Sequence, residues 1–259
     1  MNYDNIVLAD FEQIFADYTD SFLTGNEKFD SNILLKIEHS LHVQQECRHL
    51  AETEGFSTRM AVITEIAGLF HDIGRFEQLK KYNTFVDCKS IDHGDFGYQI
   101  LEKQDFLSKL SSGDRSVIMQ ATKLHNKRTI GENHQEDVLK IARAVRDADK
   151  LDIMRVLLNE YAKGKLDKTV ILHLEESDEI SPKVMAHLVK RENPLIADFV
   201  TLTDFKLAQL AWIYDLNYMH TKHEFRKRGF YDQIVSYLPD TPEIKAICKD
   251  MLTYLNEGM

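Results

Sequence analysis

The sequence predicts an all-α protein, and three observations carry that expectation. Apolar residues recur at helical spacing along most of the chain. Proline and glycine are scarce, four and eleven in 259 residues, so strands would have little punctuation. One stretch, Thr169-Val-Ile-Leu, reads as a short strand, and no partner for it is in view.

Residues 3 to 24 predict the first helix, with Ile6, Val7, Phe11, Ile14, Phe15, Tyr18 and Phe22 on one face and Gly25-Asn26 closing it. The second is expected from about Ser31 to Glu54, capped by Ser31 or Asn32 and ended by Gly55. Ser57 or Thr58 opens a third, which runs through Ile63, Ile66, Leu69 and Phe70 to His71-Asp72. Gly74 is expected to stop it, because a glycine past a helix end takes the left-handed conformation without penalty. A loop from Phe76 to Lys89 is expected next. Further helices follow from Ser90 to Leu101, from Ser112 to His125, and from Glu136 to Ala162. The segment 163 to 180 is irregular. Asn193-Pro194 begins a helical tail containing the only tryptophan, Trp212, in an aromatic run read as core or oligomer contact. Pro242 sits in the first turn of the last helix. With no repeat, low-complexity tract or linker, residues 1–259 read as a single all-α domain.

Composition narrows the function. An apolar content of 43% suffices for one good-sized core. The formal net charge of −10 argues against a nucleic-acid surface and leaves room for a local basic pocket that takes small phosphorylated molecules. Cys47, Cys88 and Cys248 form no C-x-x-C pair and read as reduced thiols of a cytoplasmic protein. No apolar run reaches the ~20 residues needed to span a bilayer, so no membrane association is expected.

His71 and Asp72 stand side by side at the end of an apolar helix. Burying an imidazole and a carboxylate there is costly unless something pairs with them, and a metal ion would. The other candidate ligands are His39, with His42 one turn on as its rival, His93, His125, and either Asp147 or Asp149. Each lies on or beside an apolar stripe, and helix bundles build metal sites from such inward side chains. Imidazoles and carboxylates suit Fe, Mn or Mg, and also Zn; thiolate ligands are absent from the set.

In order along the chain, His39-Ser40 with Val43, then Leu-Phe-His71-Asp72-Ile-Gly-Arg75, then Ala148-Asp149-Lys150-Leu151 resemble the H…HD…D signature of the HD-domain metal-dependent phosphohydrolases. The resemblance covers about residues 30 to 160, and implies an HD-type helical bundle with a helical C-terminal portion over about 163 to 259. It makes His39, His71, Asp72 and Asp149 ligands of a first metal, with Asp72 bridging. Asp92-His93-Gly94 and His125-Asn126 are similar to the extra histidines of the binuclear branch, which would place a second divalent ion on His93 and His125. The chain has no Gly-Tyr-Pro triplet, so the cyclic-dinucleotide phosphodiesterases of that branch are not implied. Arg75 stands where binuclear relatives often carry a lysine facing the substrate's phosphate; Lys150 and Lys123 are further candidates for that duty. The resemblance implies a hydrolase of phosphate esters, acting on a small nucleotide or other phosphorylated metabolite through attack of a metal-bound hydroxide on phosphorus. It leaves open a di-iron oxygenase of the same superfamily, a non-catalytic nucleotide-binding regulatory module, and a homo-oligomer.

Overall fold

The computed structural model describes residues 3, 6–164 and 174–257; Thr169-Val-Ile-Leu, the expected strand, lies outside them. Among the described residues the secondary structure is helical, with a single isolated β-bridge between Glu175 and Thr201. The chain divides into two compact units, Met1–Asp152 and Ile153–Met259.

The first unit holds α1 (Leu8–Asp20), α2 (Glu27–Thr53), α3 (Thr58–Phe70), α4 (Ile73–Tyr82), α5 (His93–Lys103), α6 (Ser112–Leu124) and the greater part of α7 (Glu136–Ala162). α2 starts four residues earlier than the Ser31 boundary, because Asn26 caps it by accepting from the Phe29 amide. Ser57 caps α3 in the same way. The core forms where the apolar faces meet: Phe15 packs edge-on to Phe70 and Phe76 at 5.9 and 5.8 Å, over fully buried Ile63, Ile66, Leu69 and Ile73. Each such side chain contributes about 1.5–3 kcal/mol on burial.

The structure corrects the reading of Gly74. α3 ends at Phe70 and α4 begins at Ile73, with Asp72 as its N-cap residue, so the expected loop from Phe76 is helical as far as Tyr82. Asn83, in the left-handed conformation at φ 52°, ends it. Gly74 therefore lies in the first turn of α4. A β-carbon there would collide with the His93 carbonyl oxygen and the Gly97 amide nitrogen. Glycine is needed at this point for the close approach of α4 to α5, which brings His93 towards Asp72.

The second unit holds α8 (Pro182–Val189), α9 (Leu202–Leu210), α10 (Met219–Lys227), α11 (Phe230–Ser236) and α12 (Pro242–Asn256). Its polar anchor is Asp204, fully buried, which with Thr201 forms a capping box at the start of α9. Asp204 also accepts from the Ser181 amide and hydroxyl and from the Val200 amide.

Candidate metal centre

Five elements of the first unit converge on Asp72. α2 contributes His39, the turn between α3 and α4 contributes His71 and Asp72, and α5 begins with His93. His125 closes α6, and α7 contributes Asp149. His39, His71, Asp72, His93 and His125 are all buried, His71 completely. The six candidate ligands fall into three overlapping groups able to hold a metal ion: His39–His71–Asp72, His71–His125–Asp149 and Asp72–His93–His125.

The carboxylate of Asp72 is shared out by oxygen. Its Oδ2 lies 3.7 Å from Nε2 of both His39 and His71. Its Oδ1 lies 3.4 Å from Nε2 of His93 and 3.5 Å from Nε2 of His125. Asp149 Oδ1 stands on the first side, 3.0 Å from His39 Nε2 and 3.6 Å from His71 Nε2.

The opposite nitrogen of each imidazole is occupied. Nδ1 of His71 donates to the Gly68 carbonyl at 2.7 Å, and Nδ1 of His125 to the Thr122 carbonyl at 2.6 Å. Nδ1 of His39 meets Asp152 Oδ2 at 2.7 Å, and Nδ1 of His93 meets Asp87 Oδ2 at 2.6 Å. Carbonyl and carboxylate oxygens only accept, so in the neutral rings the proton is on Nδ1 and the lone pair on Nε2. Those lone pairs face each other in pairs, at 3.2 Å between His39 and His71 and 3.1 Å between His93 and His125. Two lone pairs that close repel unless a cation lies between them. The donor set, imidazole and carboxylate with the far nitrogens held by outer partners, fits divalent metals.

Charges around the cluster act in the same sense. Burial would raise the Asp72 carboxyl, but Lys36, His71, His125 and Arg75 hold it well below the usual carboxylate range. Asp149 is likewise held well below it, the His39 and His71 imidazoles beside it outweighing burial. Burial, with Arg75 nearby, takes His93 down to about 4 and so keeps it neutral as a ligand must be. Burial also lowers His71. His39 is raised: burial and Lys36 pull it down, and the carboxylates of Asp149 and Asp152 on either side of its ring more than compensate.

The remaining candidates are placed as follows. Arg75 Nη1 donates to Gln78 Oε1, the Phe85 carbonyl and Asp87 Oδ1, while its Nε is buried without an acceptor, 3.5 Å from Asp72 Oδ1. Lys150 is half-buried beside Asp149 on α7. Lys123 is exposed, its ammonium over the Tyr98 ring and 3.7 Å from Asp95. His42 shares Asp152 with His39, at 3.2 Å. Three residues the sequence reading passed over touch the cluster: Lys36, whose Nζ is 2.7 Å from Asp72 Oδ2, Asp152 and Asp87. Lys36 and Asp152 each stand three residues from a candidate ligand on the same helix, a spacing that marks a shared face.

Residues 37–154 match the family model described as HD domain, and that interval contains all six candidate ligands. HD domains bind divalent metals, and most are metal-dependent phosphohydrolases. Comparison with curated proteins and with solved structures gives no match. Among the described residues, no helix is long and apolar enough to cross a membrane.

Proposed function

We propose that this chain hydrolyses phosphate esters of a small nucleotide or other phosphorylated metabolite, using two divalent ions on His39, His71, Asp72, His93, His125 and Asp149; the match of residues 37–154 to the HD-domain model supports this reading. One observation carries the binuclear reading: the two oxygens of Asp72 each face a separate pair of imidazole Nε2 atoms.

When bound, the ions supply Lewis-acid polarisation of the phosphoryl group and lower the pKa of water into the neutral range. The protein's own part is positioning. The Nδ1 bonds lock four imidazoles in one tautomer and orientation. Three acceptors on Nη1 fix the Arg75 guanidinium, which leaves its buried Nε as a donor for an oxyanion developing beside Asp72. Water supplies the attacking oxygen, the P–O bond to the alcohol breaks, and the leaving oxygen takes a proton from solvent. Lys150 and Lys123 are lesser candidates for holding the substrate's charge.

Elemental analysis of protein purified without added metal, together with hydrolysis of a panel of phosphomonoesters and nucleotides, tests the reading. Two ions per chain and ester hydrolysis, both lost in Asp72→Ala, are expected. Near-normal turnover in Asp72→Ala sinks the mechanism. Iron as the sole metal with oxygen consumption and no hydrolysis replaces it with an oxygenase.

A further inference from the structure

Two cations stand at the partly exposed edge of the cluster, beside Asp149. Asp72 and His71 are almost sealed, whereas side-chain exposure rises to 18% at Asp149, 17% at Lys36 and 15% at Arg75. Lys36, Arg75 and Asp149 are thus the part of the cluster nearest to solvent. The two cations approach Asp72 from opposite oxygens, Lys36 Nζ at 2.7 Å from Oδ2 and Arg75 Nε at 3.5 Å from Oδ1. Both also stand over one ring: Lys36 Nζ is 5.6 Å and the Arg75 guanidinium carbon 5.8 Å from the Phe85 centroid. The negative face of the Phe85 ring offsets part of the repulsion between the two positive charges.

We infer that Lys36 binds an anionic oxygen of the substrate, and that Lys36 and Arg75 form a cationic jaw, with Phe85 at its hinge, that receives the phosphoryl group. The inference rests on the phosphohydrolase reading. Its physical basis is charge economy. An ammonium beside the bridging carboxylate disfavours divalent ions through like-charge repulsion. A site kept for metal binding alone would do better with a neutral residue at position 36. A phosphate group brings two negative charges to that spot, and lysine is a compact phosphate-binding cation that three rotatable donors adapt to a changing oxygen. Arg75 cannot substitute for it, since its Nη1 is committed to Gln78, Phe85 and Asp87. Lys36 has the slack to swing from Asp72 to an incoming anion: its long side chain is partly exposed, with Asp72 as its ion-pair partner.

The test uses the metal-loaded full chain, with inorganic phosphate as the probe in isothermal titration and with ester hydrolysis measured in parallel. In Lys36→Met the phosphate dissociation constant and KM are expected to rise at least tenfold. Metal content should stay at the wild-type value, and metal affinity should be unchanged or higher. Lys36→Arg should recover a substantial part of phosphate binding, a rescue that a merely structural role would not give. Lys36→Gln serves as the second neutral variant should the methionine variant misfold. Wild-type phosphate affinity in a folded neutral variant, while wild type hydrolyses esters, overturns the role of Lys36 and leaves the hydrolase standing. If wild type itself neither hydrolyses esters nor binds phosphate, the hydrolase reading falls and the jaw falls with it.

Discussion

Replacing Asp152 by alanine should weaken one metal ion and spare the other. Asp152 Oδ2 lies 2.7 Å from His39 Nδ1, and its side chain is 2% exposed. Without it, the Nδ1 proton has no acceptor, the ring is free to turn, and the tautomer that closes Nε2 becomes accessible. Loss of such an outer partner costs about 10–100-fold in metal affinity, or about 1.4–2.8 kcal/mol. The charged hydrogen bond removed is itself worth about 1.5–3 kcal/mol, so the two routes agree. The effect is confined because His93 takes its outer bond from Asp87, not Asp152. Titration of apo protein with manganese or zinc against a chromophoric chelator should show two sites in wild type. In Asp152→Ala one should weaken by 10–100-fold and the other by less than about threefold. Asp87→Ala should weaken the opposite site, with an added cost from the Arg75 and Gln78 bonds it also loses. Asp152→Asn, which keeps an acceptor oxygen, should recover part of the loss. Equal weakening of both ions in Asp152→Ala, or of neither, would refute the assignment of one outer carboxylate to each pair.

Gly74→Ala places a β-carbon against two backbone atoms of α5 that cannot rotate away. It should cost about 1–3 kcal/mol, seen as a fall in Tm of about 2–4 °C per kcal/mol for a chain this size. It should also loosen the ion on His93; an unchanged melt would show that α4 and α5 separate freely. Asp204→Ala strands the Ser181, Val200 and Thr201 amides and should destabilise the second unit by about 3 kcal/mol near neutrality. Burial would raise the Asp204 carboxyl, but the Ser181 hydroxyl and the three amides bring it below its ordinary 3.8. Its contribution is therefore present above 3.8 and lost as the pH falls through the lower folded value. The gap between denaturant melts of wild type and variant should narrow in acid, and a gap that widened there would contradict the bonding seen around Asp204.

Much of the candidate site was legible before any coordinates. His71-Asp72 at the end of an apolar helix demands a partner, and the ordered spacing to His39 and Asp149 supplied a family. The choice of Asp149 over Asp147 came from that family's pattern, and the structure puts Asp149 against His39 and His71. The outer partners were not legible. Asp87 lies in a segment whose composition suggested only loop, and one acidic residue among many carries no mark of its target. Lys36 and Asp152 offered a fainter signal, one turn from His39 and Asp149. Gly74 was misread because a glycine needed for close packing and a glycine needed for a left-handed turn look the same in one dimension.

The sequence by itself determined what local chemistry decides: helices from apolar periodicity, helix starts at Ser57 and Pro242 from capping and proline geometry, and the all-α class. Tertiary structure alone decided that Asp72 turns one oxygen to His39 and His71 and the other to His93 and His125. Those side chains come from positions 39 to 125, with Asp149 beyond. No local rule spans that separation. Their meeting is set by how closely five elements pack, down to a missing β-carbon at Gly74, and packing is a property of the folded chain.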